Sequence, residues 1–445
     1  MRKTESTQPT RQATIKISGI IDRRPDELSP WPTNPRTHSE KQLVKLKASI
    51  GRFGFTAPVL TDEEGVILSG HGRVQAAKEL GLTSIPTRAI SGLTVADKRA
   101  YVIADNKMSL LSAWDLPLLK SEMELLIQAD FDIEVTGFST AEVDLMFEDN
   151  SGAPDDLQDE DIVDEVVSRT GDLWQLGNHR LLCGDALAAE SYKTVMQGAQ
   201  SQMCITDPPY NVPIDGHVCG SGKVKHKEFA MAAGEMSSSQ FTEFLQRAFA
   251  HMHAVTMDGA IHFIFMDWRH ASEIQEAARP VFGPPRQLCV WAKDNAGMGT
   301  FYRSQHELVY VFKKGKAPHI NNFELGQHGR YRTNVWSYAG VNTFKGKGCE
   351  LLALHSTVKP VGLIADAIRD CSHRKGLILN PFAGSGTILI AAERTGRYAR
   401  AIELDPQYVD VAVQRWQRVT GKKAVLAATG KTWDQMRSAR AKPQK

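Results

Sequence analysis

The run ITDPPYNV puts a carboxylate, two prolines and a phenol (Asp207, Pro208, Pro209, Tyr210) directly behind the apolar residues Met203, Cys204 and Ile205. Neither proline has an N–H to give a β-ladder, so a buried strand must stop there and present Asp207 at its carboxyl end. In open α/β sheets that end is where ligands bind. A second run, residues 376–405, reads as a strand ending in Asn380, a glycine-containing turn NPFAGSGT, a helix from about Thr387, and a further strand finishing with Glu403. Glycines let the backbone approach a ligand, and a carboxylate about 20 residues further on can take both ribose hydroxyls. No lysine follows Gly386, and 220-GSGKV-224 lacks both the upstream glycine and the Ser or Thr of a Walker motif. An adenosine ligand without a triphosphate therefore fits better than a nucleoside triphosphate.

These groups need a framework to hold them. Apolar segments at 181–185, 202–207, 261–267, 287–293, 306–312, 376–380 and 399–405 read as buried strands, with helical stretches between many of them. That alternation predicts a mostly parallel sheet covered on both faces. Upstream, 42–54 and 72–82 have helical character, 57–70 reads as two short strands joined by an acidic turn, and 85–90 as another strand. Helical material follows at 94–127. The acidic run 148-EDNSGAPDDLQDEDIVDE-165 is the natural linker, and the end of the chain is basic. The expected domains are 1–147, a linker over 148–169, and 170–445 with a basic tail. Residues 214–238 read as a loop, and 318–340 as an irregular insertion.

The 445 residues, 42% of them hydrophobic, are ample for two or three packed domains, and the net charge of +2 argues neither for nor against nucleic acid. The six cysteines never form a C-x-x-C pair, so neither a zinc site nor a disulfide framework is indicated, and no metal is expected. No apolar run approaches the roughly 20 residues that cross a bilayer, and the start MRKTESTQPTRQ is polar. The expected location is the cytoplasm, with no membrane partner.

NPFAGSGT with IELD, TDPPY, and 355-HSTVKP-360, in that arrangement along residues 170–420, resemble the β class of DNA amino-methyltransferases. The family order, the catalytic motif before the glycine motif, is also kept. Asn380 stands where Asp is commoner, and Ser356 where Pro is often found. The resemblance implies a Rossmann-like methyltransferase sheet, S-adenosylmethionine as cofactor and double-stranded DNA as substrate. It implies that Asn380, Phe382, Gly384 and Gly386 line the cofactor, that Glu403 binds its ribose, and that Asp185 lies near its adenine. His355, Thr357 and Lys359 match the segment that closes over the methionine end, with Lys359 reading as a carboxylate binder.

An exocyclic base nitrogen is a poor nucleophile because its lone pair is delocalised into the ring. Asp207 and the backbone carbonyl of Pro208 could accept both amino hydrogens and free that pair, Pro209 fixing the backbone between them. Tyr210 would stack on the flipped base. The family places DNA recognition between the two motifs, where Arg303, Ser304 and His306 suit phosphate or base contacts. The alternative for Arg303 is a surface pair with Glu307.

The amino-terminal stretch 68-LSGHGRVQAAKELGLTSIPT-87 resembles the ParB-like fold, in which a Gly-x-x-Arg turn opens a helix. Gly70, His71, Gly72 and Arg73 match that turn, which implies an anion site for a nucleotide or DNA phosphate. The family's usual Glu-Arg pair is here His71 and Gly72. The fold class expected is α/β, a small ParB-like domain ahead of the methyltransferase sheet, with a homodimer as a further expectation. The activity expected is N6-adenine methylation, since Ser is commoner than Asp at the first motif position of cytosine N4 enzymes. Open beside it stand N4-cytosine methylation, a DNA-binding adaptor with an inactive methyltransferase half, and a nuclease acting through the first domain.

Overall fold

The computed structural model describes residues 15–147, 165–212, 234–294, 296, 301–323, 326, 330–339 and 358–440. The chain divides into two compact units, Met1–Glu148 and Asp149–Lys445.

In the first unit, strands β1 (Lys16–Ile17), β2 (Ile21–Arg23), β3 (Val59–Thr61), β4 (Ile67–Ser69) and β5 (Ile85–Ser91) form one sheet. The central strand β5 runs parallel to β3 and antiparallel to β1 and β2. Helix α1 (Glu40–Phe53) starts on Ser39, whose hydroxyl accepts from the Gln42 N–H, and α2 (His71–Glu79) follows β4 through Gly70. Leu28, Val59, Ile67, Val74, Ala77 and Ile85 are the core beneath them. Helix α3 (Val95–Met108) opens on a Thr94–Asp97 capping box. A separate small core of Leu119, Met123, Ile133 and Val143 joins α4 (Leu116–Gln128) to α5 (Thr140–Met146).

In the second unit a ten-stranded sheet carries the site. Its strands are β6 (Leu173–Leu176), β7 (His179–Cys183), β8 (Ser201–Thr206), β9 (Thr256–Met266), β10 (Gln287–Ala292), β11 (His306–Lys313), β12 (Val335–Ser337), β13 (Leu377–Asn380), β14 (Tyr398–Glu403) and β15 (Val425–Leu426). Their order is β12-β10-β11-β9-β8-β13-β14-β7-β6-β15. The run β9-β8-β13-β14-β7 is parallel throughout, so these five strands end on one edge. The flanks are antiparallel where β11 meets β9 and β10, and where β6 meets β7 and β15. The expectation of a mostly parallel sheet thus holds for the centre, while each flank carries antiparallel pairs, among them the sequence-adjacent strands β10–β11 and β6–β7.

Successive residues of a strand point to opposite faces. Met203 and Ile205 accordingly join one core and Cys204 the other, as do Phe263 and Phe265 against Ile264. Helices α6 (Ala189–Met196), α7 (Ser238–Val255) and α8 (Ala271–Phe282) cover one face. The other is covered by α9 (Val361–Cys371), α10 (Thr387–Thr395), α11 (Pro406–Thr420) and α12 (Trp433–Arg440).

Three expectations need correction. The insertion at 318–340 is irregular only in part, because Val335–Ser337 pairs in parallel with β10 and so belongs to the sheet. It is also tied down by charge: Arg332 pairs with Asp370 at 2.9 Å and Arg330 with Asp366 at 3.2 Å. The basic carboxyl end does not trail, since Trp433 is buried and donates to Asp410 at 2.7 Å. Residues 167 and 168, expected in the linker, are buried on the same carboxylate, which accepts from the Val167 N–H at 2.7 Å and the Ser168 N–H at 3.0 Å. A buried carboxylate needs donors, and Asp410 collects them from both ends of the unit. Among the described residues no helix is long and apolar enough to cross a membrane.

Candidate active site

Strand β8 ends at Thr206, and the prolines stop it there as the sequence requires. Asp207 follows, and its carboxylate is held on both oxygens. The Tyr210 hydroxyl donates to Oδ1 at 2.5 Å, and the Lys359 ammonium bonds Oδ2. A second carboxylate, Glu307, enters from the start of the antiparallel strand β11. It takes Lys359 at 3.2 Å on Oε2 and Lys293 at 2.5 Å on Oε1, and its Oε2 stands 3.1 Å from the Tyr210 hydroxyl. Lys293 follows the last residue of β10 and faces Glu307 across the hairpin, since Ala292 and His306 are paired.

Two acids and two bases thus form one neutral cluster, with Tyr210 bridging the acids. Burial pushes Asp207 above the usual carboxylate range, with the neighbouring Glu307 charge adding to it and Lys359 opposing. Burial would raise Glu307 too, but the ammonium groups of Lys359 and Lys293 hold it down to about 2. Burial works against the charge of Lys359, and the two carboxylates more than offset it, raising the lysine. Around Lys359 stand the rings of Phe265, Tyr210 and Trp291, with centroids 5.3, 5.7 and 5.9 Å away. The result is a charged cluster ringed by aromatic side chains at the end of β8. The sequence reading missed Glu307 as a site residue and named it only as a surface partner for Arg303, whereas its partners are Lys293, Lys359 and Tyr210. Only register brings them together: Glu307 lies 100 residues from Asp207 in the chain.

Asn211 was also missed. It adopts φ +53°, and its amide oxygen accepts from the Gly234 and Met236 N–H groups, both at 3.1 Å. A short polar side chain tolerates that backbone and ties the segment after the motif to the approach of α7.

Beside β8 lies β13, which ends in Asn380. The Asn380 side-chain oxygen accepts from the Phe382 N–H at 3.0 Å and the Thr206 hydroxyl at 3.1 Å, so it locks the turn to the end of β8. Gly384 and Gly386 both have positive φ. A Cβ on Gly384 would meet nothing within 4 Å, while one on Gly386 would stand 2.6 Å from the Ala412 Cβ. The first glycine therefore faces open space and the second lets α10 approach α11. Under the turn, Glu403 accepts from the Gly384 N–H at 2.7 Å and the Asp405 N–H at 2.9 Å, and burial raises its pKa. The Gly184 N–H bonds the Glu403 carbonyl at 2.8 Å, which brings Asp185 to the neighbouring strand end. Phe382 is half-buried, its ring 6.0 Å from that of Phe244. Open space over a glycine, two carboxylates at adjacent strand ends and an aromatic wall fit a nucleoside whose ribose hydroxyls donate hydrogen bonds.

Lys359 therefore sits on the Asp207 side of the sheet edge, in salt bridges with two carboxylates. His355 and Thr357 lie outside the described residues. Arg303 is exposed, and Ser304 donates to the His306 carbonyl at 3.5 Å. Among the described residues no cluster of His, Cys, Asp or Glu could hold a metal ion.

In the first unit, Gly70 has φ +102° and its missing Cβ leaves room for the Arg73 guanidinium, which would stand 2.9 Å from it. Arg73 reaches the Pro58 carbonyl at 3.4 Å, its buried Nε has no hydrogen-bond partner, and burial lowers its pKa. Of the four residues assigned to an anion site, two have other work. His71 Nε2 accepts from the Trp31 N–H at 3.1 Å, and a Cβ on Gly72 would stand 3.0 Å from the His38 ring and 3.1 Å from Leu46. Close packing on α1 thus accounts for the glycine, and Arg73 is left as the cation of the turn. Asp105, on α3, accepts from the Ser69 hydroxyl at 2.7 Å.

Comparison with known proteins adds the family. Residues 201–414 match the DNA methylase model of the N6/N4 class, and residues 117–170 match the ParB-methyltransferase HTH domain. The latter takes in α4 and α5, read from the sequence only as helical extension. The chain is 50% identical over 80 residues to the ParB-like nuclease domain-containing protein YnaK of Escherichia coli (strain K12), covering 18% of this chain and 92% of YnaK. It is 26% identical over 211 residues to the putative methylase YubD of the same organism, covering 47% of this chain and 79% of YubD. Among solved structures, the M1.HpyAVI–SAM complex is similar with a TM-score of 0.38 and 20% identity, covering 53% of this chain and 98% of that one.

Proposed function

Since the chain belongs to the N6/N4 DNA methylases and carries a ParB-like part ahead of the methylase, we propose that it methylates the exocyclic N6 of adenine in double-stranded DNA. Bound S-adenosylmethionine supplies the electrophilic sulfonium methyl. The observation that carries the reading is the carboxylate pair, Asp207 and Glu307, paired with Lys359 and Lys293 among aromatic rings beside the glycine turn. A flipped base brings an NH2 group with two donor hydrogens. Asp207 Oδ1 or Oδ2 accepts one of them, and the Pro208 carbonyl accepts the other, drawing the nitrogen toward tetrahedral geometry.

The lysines matter because the acceptor must stay charged. Burial favours protonated Asp207, and a protonated carboxyl cannot accept on both oxygens. Lys359 opposes that protonation. As the amino group arrives, Glu307 gives Lys359 an alternative anion 3.2 Å away, so the ammonium can leave Asp207 without being stranded. Tyr210, fixed at its hydroxyl by the acids, offers a ring face to the base. Asp185 and Glu403 would take the adenosine half of the cofactor and Phe382 would stack against it. The chemistry is then an in-line transfer helped by positioning and electrostatics. Asp at position 207, where cytosine N4 enzymes more often carry Ser, supports adenine as the base.

The test is to incubate the purified chain with unmethylated DNA and S-adenosylmethionine, digest to nucleosides and identify the product by mass spectrometry beside Asp207→Ala. N6-methyladenine that vanishes in the variant is the expected outcome. N4-methylcytosine would keep the chemistry and overturn the base. No methylated base, together with no cofactor binding, would sink the reading.

A further inference from the structure

Phe301 and Tyr302 are the most exposed large hydrophobic side chains described, at 86% and 85%. They adjoin in sequence and in space, their ring centroids 4.4 Å apart and tilted by 58°. Two aromatic rings left together in water forgo a large burial energy, and such exposure in one place marks a contact with something else.

Their position says what. They lie between β10 and β11, in a connection whose neck is closed by the Lys293 N–H on the Gln305 carbonyl at 2.9 Å and the Gln305 amide on the Lys293 carbonyl at 2.7 Å. Just inside that neck, Lys293 and Glu307 form the wall of the base pocket. Tyr302 precedes Glu307 by five residues, so its backbone lies at most about 17 Å from that of Glu307. That is comparable to the major groove of DNA, about 12 Å wide. Exposed Arg303 follows directly, suited to a backbone phosphate.

A base drawn into the pocket leaves a gap in its duplex, and unstacking it costs a few kcal/mol. An aromatic ring that stacks on the exposed neighbouring bases can offset that cost, at about 1–3 kcal/mol per base. We infer that Phe301 and Tyr302 form a wedge that enters the duplex at the target and fills the gap left by the flipped base. The inference rests on the reading of the chain as a DNA methyltransferase.

The test uses the full chain and a duplex bearing the sequence it methylates, mapped from the product above. One version has the target base paired, another has it opposite an abasic site, where little pairing opposes flipping. Phe301→Ala/Tyr302→Ala is expected to lower kcat/KM on the paired duplex about 30-fold, the scale of one lost stacking contact. On the abasic-opposed duplex the loss should shrink below about 3-fold. Tyr302→Phe should behave as wild type on both. With 2-aminopurine as the target, the wild type should brighten the paired duplex and the double variant should not. An equal loss on both duplexes would make the pair an ordinary groove contact and overturn the wedge, as would no loss at all. A wild-type chain that methylates neither duplex would instead overturn the function itself.

Discussion

Two turns in this chain share one backbone plan and have opposite linings. At β4–Gly70–α2 and at β13–Gly386–α10 a strand runs into a left-handed glycine that opens a helix. In the first, the space over Gly70 is taken by the guanidinium of Arg73. In the second, the space over Gly384 is open and a half-buried carboxylate, Glu403, accepts from its N–H. A helix amino terminus favours anions wherever it occurs. The two linings suit different chemistry: a guanidinium beside the turn suits a phosphate, and a carboxylate suits the hydroxyls of a neutral ribose.

The comparison breaks most severely at Gly386. Its φ of +79° disfavours any Cβ, and the Ala412 Cβ stands 2.6 Å from where one would lie. Gly386→Ala should destabilise the turn by about 3 kcal/mol, combining backbone strain with overpacking. Hydrogen exchange of the amides of Thr387–Thr395 should accelerate markedly, whereas Gly384→Ala, with strain alone, should cost about 1 kcal/mol. Equal effects would mean that packing on α11 is not what the second glycine provides.

Next in size is Glu403. Glu403→Ala should weaken S-adenosylmethionine binding about 30-fold by calorimetry, as expected for losing hydrogen bonds to a charged acceptor. The sign of its pH dependence follows from burial, which raises its pKa above that of an exposed glutamate. The ionised acceptor is present above that raised value, so affinity should fall as pH drops through it, at a higher pH than an ordinary glutamate would give. Affinity flat down to pH 4 would contradict this lining.

The smallest effect sharpens the comparison from the other side. Inorganic phosphate should raise the melting temperature of wild-type chain by a degree or two and leave Arg73→Ala unmoved, while Arg73→Ala keeps its S-adenosylmethionine affinity. Stabilisation of both proteins alike would place phosphate elsewhere than this turn.

Contiguous features were legible in the sequence. The DPPY strand end, the NPFAGSGT turn and Glu403 two strands' worth of chain later each follow from local rules: proline stops a ladder, glycine admits close backbone approach, and an acid ends a strand. The Gly-x-x-Arg turn was legible in the same way, though His71 and Gly72 proved to be spent on Trp31 and on the packing of α1. What escaped was whatever depends on pairing across distance. The antiparallel flanks escaped because hairpins and crossovers leave similar apolar runs, and Val335–Ser337 because three residues carry no periodicity. The basic end read as a tail because Asp410, the buried acid that Trp433 caps, lies on another helix.

By itself, then, the sequence determined that Asp207 stands at a strand end beside a proline pair, and that a glycine turn is followed by a strand ending in an acid. Only the tertiary structure decided that Glu307 and Lys293 join Asp207, and that Lys359 bridges the two acids. The reason is physical. A carboxylate taken out of water needs cations and donors, and in this fold those come from strand ends and from the approach to α9, places that the chain visits far apart and the fold lays side by side.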